Sequence, residues 1–126
     1  MLLLPDGQLF EGHNAPISNH DATAHAEIQV IRAACAALGN YRLVDAQLFV
    51  TLEPCAMCAG AIVHARIKRV IYGAVEPKTG VVESLYTLLS DERLNHQVEV
   101  ESGVLADDCR EQIKAFFKAR RLAKAL

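Results

Sequence analysis

The amino-acid sequence predicts an α/β protein in which helices pack on a mixed β-sheet. Strand-like and helix-like segments alternate along the 126 residues, which is the pattern of α/β domains. Residues 46–52 and 70–74 are nearly continuous apolar runs, as in strands that are buried on both faces. Residues 98–102 instead alternate valine with charged or polar side chains, which predicts an exposed edge strand.

The chain is expected to begin with a β-hairpin. Pro5-Asp6-Gly7 separates short segments at residues 2–4 and 8–12. Proline presets the first dihedral angle of a turn and glycine accepts a positive φ, so these residues suit the connection between two strands. Residues 13–22 follow as a loop.

Two helices are predicted next. The Ala-rich run 24–38 has Thr23 as a candidate N-cap and Gly39-Asn40 as a C-terminal signal. Further along, Glu53-Pro54 is expected to open a second helix that continues to about residue 65. Proline suits the first helical position because its missing N–H has no partner there in any case.

The chain is expected to end in a long helix with one apolar and one basic face. Residues 85–89 predict a short amphipathic helix before it, and the last helix starts near Ala106-Asp107. One of the two phenylalanines of the last helix is expected in the core. Its apolar face should carry four residues at helical spacing: Cys109, Ile113, Phe116 and Phe117.

Composition and charge narrow the class of protein. Apolar residues make up 52% and charged residues 22% of the chain, and the net charge is −2, so a disordered or low-complexity protein is excluded. Residues 110–126 hold six basic residues and one acidic residue, which makes them a candidate basic face. The longest apolar stretch, residues 33–38, is too short to span a membrane. We expect a single domain over residues 1–126 and a cytoplasmic location.

The four cysteines fall into two groups. Cys35 and Cys109 lie in apolar periodic runs and are expected to be core residues. Cys55 and Cys58 lie three positions apart at a predicted helix start. Because the first residues do not resemble an export signal, disulfides are not expected. The close pair alone fits either a thioredoxin-like redox site or half of a zinc site.

His25 and Glu27 favour the zinc site. One histidine with two cysteines supplies three ligands and leaves the fourth tetrahedral position to water, which is the catalytic pattern. The combination H-x-E followed by P-C-x-x-C is typical of zinc-dependent nucleobase deaminases, and His25-Ala26-Glu27 and residues 54–58 match it. Glu27 is two residues from the histidine, so we expect it to point away from the histidine direction.

Hydrolytic deamination adds water to an aromatic carbon that carries an exocyclic amine. Zinc lowers the pKa of a bound water to about 7. The ring nitrogen and the leaving amine must each receive a proton, and Glu27 is the acid–base group that the pattern places there. We therefore expect Glu27 to be catalytic and His25, Cys55 and Cys58 to hold zinc.

Beyond these motifs, the sequence resembles the bacterial tRNA-specific adenosine deaminases, within the wider cytidine-deaminase-like zinc family. The resemblance covers almost the whole chain. Besides His25-Ala26-Glu27, the segments that carry it are 50–62, Lys78-Thr79-Gly80, Asn95-His96, 103–107 and Phe116-Phe117 with Arg120-Arg121.

This resemblance implies a three-layer α-β-α fold with a mixed central sheet, a homodimer, and one Zn²⁺ per subunit. The implied reaction converts adenosine to inosine at the wobble position of a tRNA anticodon loop. By similarity, Asn14 would contact the flipped nucleoside, the Ala26 amide would help to fix the base, and the Pro54 carbonyl would lie near the leaving amine. The candidate RNA contacts are Glu76, Lys78, Lys118, Arg120 and Arg121.

The chain departs from the family pattern in two places. Val75-Glu76 stands where the family usually has an Arg-Asp pair, so a positive charge is absent while a carboxylate remains. This difference bears on the RNA contacts rather than on deamination. Family members also carry a helix ahead of the position of Leu2, so we expect residues 1–126 to form an N-terminally short deaminase domain.

Other functions stay open at this level. A free-purine, guanine-type deaminase would share the zinc site without needing a basic C-terminal helix, and a cytosine-type enzyme is a weaker alternative. An inactive zinc-stabilised RNA-binding or dimerisation module would bind metal and form no inosine. A redox protein would oxidise Cys55 and Cys58 reversibly and would not need zinc.

Overall fold

Five short strands form one mixed sheet in the computed structural model, which describes residues 1–125. In chain order the strands are β1 (Leu2–Leu3), β2 (Leu9–Phe10), β3 (Gln47–Leu52), β4 (Arg69–Ala74) and β5 (Glu99–Glu101). Their order in the sheet is β2-β1-β3-β4-β5. β1 is antiparallel to both of its neighbours, whereas β3, β4 and β5 are parallel. The predicted hairpin and mixed sheet are confirmed.

The helices described in residues 1–125 are α1 (Ala26–Leu38), α2 (Ala56–His64) and α3 (Ala106–Ala125). α1 ends at Leu38 with Gly39 as its C-cap, as predicted; Gly39 has a φ of 69° and donates its N–H to the Cys35 carbonyl. In place of the short helix predicted over 85–89, a 3₁₀ turn forms at Leu88–Ser90. Within the described part of the chain, no helix is both long and apolar enough to cross a membrane.

The helices cover two opposite faces of the sheet. Tyr72 of β4 is buried in the same core as Val30 of α1 and Ile62 of α2. Gly73, the next residue of β4, instead faces Cys109 of α3, because successive residues of a strand point to opposite faces. The predicted three-layer α-β-α arrangement is confirmed.

β4 and α3 approach each other closely at Gly73. A Cβ atom on this residue would lie 2.5 Å from the Sγ atom of Cys109 and 2.9 Å from the carbonyl oxygen of Thr51. A backbone carbonyl within a sheet cannot move aside without disturbing the strand. Packing therefore requires glycine at this position.

We expect Gly73→Ala to lower the free energy of unfolding by about 1–3 kcal/mol, the usual cost of overpacking a core position. Urea unfolding followed by circular dichroism measures this change. Gly60→Ala in α2 is the matched control, because no atom lies within 4 Å of a Cβ placed there and alanine favours a helix. An unchanged urea midpoint for Gly73→Ala would contradict the close packing of α3 on β4.

α1 begins two residues later than its predicted start, at Ala26, and its N-cap is His25 rather than Thr23. The cause is a turn ahead of the helix. The Asp21 carboxylate accepts hydrogen bonds from the N–H of Thr23 at 2.8 Å and from its hydroxyl at 2.7 Å. This turn holds Thr23 outside the helix.

α2 also begins later than predicted, at Ala56, with Cys55 as its N-cap. Pro54 therefore precedes the helix instead of occupying its first turn. The backbone of Glu53 still pairs with the end of β4, since its N–H donates to the Ala74 carbonyl at 2.9 Å. The chain leaves the sheet only after this bond, which delays the helix.

α3 is the element that departs furthest from expectation, because no described residue of it is buried. Cys109 and Ile113 are half-buried, whereas Phe116 and Phe117 are 55% and 53% exposed. Only the N-terminal half of α3 lies against the sheet, so the prediction of a phenylalanine in the core is wrong. The two rings pack edge to face instead, with their centroids 5.4 Å apart.

The strands differ in how far they are buried. β4 is buried from Val70 to Ala74, and all of β5 is exposed, as predicted for a central and an edge strand. β3 is less buried than predicted, because Leu48 is its one buried residue and Thr51 is exposed. Cys35, expected in the core, is half-buried.

Candidate metal centre and active site

Three side chains that the sequence singled out as metal ligands converge in space. The Nδ1 atom of His25 lies 3.6 Å from the Sγ atom of Cys55 and 3.5 Å from that of Cys58. All ligand atoms of this group lie within 4.8 Å of one another. Zinc bonds of about 2.0–2.3 Å in a tetrahedron place ligand atoms roughly 3.5 Å apart. The group therefore fits a zinc ion in both chemistry and spacing.

The cluster forms where two helix N-termini meet. His25 is the N-cap of α1, Cys55 is the N-cap of α2, and Cys58 lies in the first turn of α2. The first N–H groups of a helix have no partner within the helix, and the helix dipole makes this end positive. Both effects favour a cysteine thiolate, which is the form that binds metal.

Electrostatics at Cys58 also suit a cation. The side chain is fully buried. Burial raises the pKa of the Cys58 thiol well above its usual range, and the nearby Glu27 carboxylate and Cys55 raise it further. A bound dication reverses this preference, because it stabilises the thiolate directly. Three protein ligands would leave the fourth position of a zinc ion open, as in catalytic sites.

Glu27 lies at this cluster, in the first turn of α1. It is half-buried, and its carboxylate lies near enough to Cys58 to raise the pKa of that thiol. The expectation that Glu27 points away from the histidine direction stays a prediction, because His25 has the extended backbone of an N-cap (φ −74°, ψ 153°) and helical spacing does not fix the angle between the two side chains. The Sγ atom of Cys58 lies 3.5 Å from the Nδ1 atom of His25, and the Glu27 carboxylate acts electrostatically on the same thiol.

Asn14 and Ala26, two of the three predicted substrate-binding residues, contact each other. The side-chain oxygen of Asn14 accepts a hydrogen bond from the Ala26 N–H at 2.7 Å. This bond satisfies the first N–H of α1 and fixes the loop before the helix onto the helix end. The NH₂ group of the Asn14 side chain keeps its own capacity to donate.

A loop from Glu76 to Ser84 closes against Pro54 and Cys55. The Pro54 carbonyl accepts a hydrogen bond from the Val81 N–H at 3.0 Å, and Cys55 pairs with Gly80 as an antiparallel bridge. A carbonyl oxygen has a second lone pair, so Pro54 can still accept from a ligand.

The candidate RNA-contact residues fall on two separate elements. In the loop, Lys78 is exposed and donates its backbone N–H to the half-buried Glu76 carboxylate at 3.2 Å. On α3, Lys118, Arg120 and Arg121 are exposed. The guanidinium of Arg120 lies 5.8 Å from the ring centroid of Phe116, within the range of a cation–π contact.

Sequence reasoning missed Glu53, which it treated as the start of a helix. Among the residues that the structure describes, Glu53 is the one buried polar or charged residue, with 3% of its surface exposed. Burial by itself raises the pKa of Glu53, but hydrogen bonds from Glu83, Ser84 and Glu76 outweigh it and lower the pKa to about 2. The sequence signal that could have revealed this buried carboxylate is the position of Glu53 directly after an apolar strand.

Similarity to known proteins agrees with this geometry. The sequence matches the MafB19-like deaminase family over residues 9–121. A relative from Streptococcus pyogenes serotype M1, named tRNA-specific adenosine deaminase, is 50% identical over 99% of this chain and 74% of its own length. A relative of the same name from Bacillus subtilis (strain 168) is 47% identical over 98% of this chain and 77% of its own length.

Solved structures give the same relationship. A structure from a study of A-to-I editing by tRNA:A34 deaminases at the wobble position is 49% identical with a TM-score of 0.82, covering 87% of this chain and 80% of that one. A guanine deaminase from Nitrosomonas europaea, at 20% identity and a TM-score of 0.71 over 83% of this chain and 63% of that one, shares the fold alone. About half of the residues are identical in relatives that align with nearly the whole chain, and this confirms the resemblance found in the motifs. The chain therefore belongs to the tRNA-specific adenosine deaminases.

Proposed function

We propose that this protein hydrolyses adenosine to inosine at the wobble position of a tRNA anticodon. The observation that carries the proposal is the convergence of His25, Cys55 and Cys58 with the Glu27 carboxylate beside them. This set provides a metal site with an open position and a neighbouring proton carrier. The relatives named above supply the substrate class.

One zinc ion per subunit would be held by His25, Cys55 and Cys58. When bound, zinc activates water for attack on the amine-bearing carbon of the base. Glu27 would accept one proton of that water and deliver it to the ring nitrogen beside the attacked carbon. It would then take the proton of the added hydroxyl, which becomes the carbonyl of inosine, and pass it to the amine that leaves as ammonia. Its half-buried position near Cys58 supports this role.

The base would be held by Asn14, Ala26 and Pro54. The base must first leave the stack of the anticodon loop, at modest cost because the loop is single-stranded. The Asn14 side chain would donate to the nucleoside through its NH₂ group while its oxygen holds the Ala26 N–H. The second lone pair of the Pro54 carbonyl would face the leaving amine. Donation from the Ala26 N–H to the base would require exchange of its bond to Asn14.

RNA contacts would come from the loop residues Glu76 and Lys78 and from the basic face of α3. Lys118, Arg120 and Arg121 are exposed and accessible to phosphates, because the second half of α3 does not lie against the sheet. Contacts of this kind bind without sequence preference and weaken with salt.

We expect the triple variant Lys118→Ala, Arg120→Ala, Arg121→Ala to raise the KM for an anticodon stem-loop and to leave kcat unchanged. Loss of three phosphate contacts should lower the slope of log KM against log salt concentration by about 2. A double variant of exposed arginines elsewhere, Arg32→Ala with Arg42→Ala, is the control. Equal slopes for the triple variant and the control would contradict a role for α3 in RNA binding.

We also propose that the enzyme is a homodimer with RNA bound across the interface, and that it acts in the cytoplasm, where tRNA is found. Leu85 and Tyr86, 52% and 70% exposed, follow the loop that contacts Cys55 and offer apolar surface for such an interface. Light scattering across a concentration series measures the oligomeric state.

The substrate assignment is tested by comparing anticodon stem-loop RNA, free adenosine and guanine as substrates of the zinc-loaded protein. We expect inosine at the wobble position of the RNA and little ammonia from guanine. Ammonia released chiefly from guanine would replace this proposal with a free-purine deaminase. Zinc binding without turnover of any of the three would instead indicate an inactive RNA-binding or dimerisation module.

A further inference from the structure

The buried carboxylate of Glu53 is compensated by backbone groups rather than by a basic side chain. Its Oε2 atom accepts three consecutive N–H groups, from Val82 at 2.9 Å, Glu83 at 2.8 Å and Ser84 at 2.9 Å. Its Oε1 atom accepts the Glu76 N–H at 3.0 Å and the Ser84 hydroxyl. Consecutive N–H groups of this kind form an anion-binding concavity. Glu53 therefore gathers both ends of the loop between residues 76 and 84.

The same loop contacts the turn 54–58, which carries the candidate metal ligand Cys55. Gly80 forms the bridge to Cys55, and Val81 donates its N–H to the Pro54 carbonyl. Gly80 lies directly against the carboxylate, since a Cβ atom there would be 2.3 Å from the Cδ atom of Glu53. No residue other than glycine lets the loop pass this closely over Glu53.

We propose that Glu53 is a positioning residue for the active site, which locks the 76–84 loop onto the turn 54–58 and thereby sets where Cys55 and the Pro54 carbonyl stand. Glu53 touches neither substrate nor metal in this role and acts through the backbone. The inference rests on the proposed zinc site and deaminase reaction. It extends them, because it assigns catalytic geometry to a residue outside the zinc motif.

A glutamine side chain cannot replace this carboxylate. In Glu53→Gln, an amide oxygen at the Oε2 position would take the three N–H groups, but the NH₂ group would then face the Glu76 N–H, and two donors would oppose each other. If the amide is reversed, three donors meet an NH₂ group. One or more loop N–H groups lose their acceptor in either orientation, which weakens the attachment of the loop to the turn.

The test compares the intact protein with Glu53→Gln in two measurements. The first is the rate of zinc transfer to a chromogenic chelator, together with the visible absorption of the Co²⁺-substituted protein, which reports ligand geometry. The second is kcat and KM on an anticodon stem-loop. Ile67→Ala, which truncates a fully buried side chain before β4, is the control for loss of stability alone. The variants are compared at a temperature where all remain folded.

For Glu53→Gln we expect zinc release to accelerate by about 10- to 100-fold, a changed Co²⁺ spectrum, and a fall in kcat with little change in KM. Ile67→Ala should release zinc at the original rate with an unchanged spectrum. Equal behaviour of the two variants would overturn the proposal. If Glu53→Gln does not fold, Ser84→Ala decides the matter, since it removes only the hydroxyl donor: faster zinc release supports the proposal and an unchanged rate overturns it. The metal measurements do not depend on the identity of the substrate, so failure of the deaminase assignment is seen separately.

Discussion

Glu27→Ala is expected to bind zinc normally and to lose turnover on an anticodon stem-loop by about 10⁴-fold, the upper range for a general acid–base group. The reason is that the proposed reaction needs this carboxylate in every proton transfer, from the water to the ring nitrogen and then to the leaving amine. It does not belong to the three-residue ligand cluster, so the metal site itself is left intact. The variant therefore separates metal binding from chemistry.

Metal analysis and inosine detection on the same preparation provide the measurement. Glu27→Gln keeps the shape of the side chain without its basicity and should be as inactive as the alanine variant. Glu92→Ala removes an exposed carboxylate elsewhere and should retain full turnover. Ordinary turnover by Glu27→Ala would mean that another group moves the protons, and the assignment of this residue would fail.

Cys58→Ser is expected to weaken zinc binding by more than about 100-fold and to abolish turnover. A serine hydroxyl stays protonated at neutral pH and is a poor zinc ligand, whereas Cys58 is one of the three residues that could hold the metal. The free energy of zinc binding to structural sites is roughly 10–16 kcal/mol, so we expect the loss of one ligand to cost several kcal/mol of binding free energy. Because zinc binds only the folded chain well, the midpoint of thermal unfolding should fall as well.

The measurement is the zinc-to-protein ratio after dialysis, with thermal unfolding in the presence and absence of a chelator. Cys35→Ser is the matched control, since this half-buried cysteine on α1 lies outside the ligand cluster. A chelator should destabilise the wild type and Cys35→Ser and leave Cys58→Ser unchanged. A Cys58→Ser protein that retained stoichiometric zinc would exclude this residue as a ligand.

Much of the fold was predictable because its signals are local. Pro5-Asp6-Gly7 encodes its own turn, Gly39 supplies the positive φ that ends α1, and the unbroken apolar run of β4 matches its burial. The pattern of residues 54–58 likewise predicts a helix start with two sulfurs close together. These features depend on neighbours in sequence, so the sequence is enough to predict them.

Other features depended on contacts that local patterns do not contain. α3 has the spacing of an amphipathic helix, yet whether its phenylalanines are buried depends on how far the sheet extends beneath it. The starts of α1 and α2 shifted because Asp21 holds Thr23 in a turn and because Glu53 remains paired with β4. A helix propensity is a weak preference, and such hydrogen bonds outweigh it.

The class of chemistry can be predicted from the sequence, since the ligand types, their spacing and Glu27 match the pattern of zinc-dependent deaminases. The residues that position the active site, in contrast, can be identified only from the tertiary structure. Glu53 looks like an ordinary polar residue after a strand, and Gly80 like an ordinary loop glycine. Their roles appear only in the folded protein, where a loop more than twenty positions away packs over the buried Glu53 carboxylate and Gly80 lies directly against it. The loop is held there because a buried charge that has lost its hydration must be compensated by hydrogen bonds.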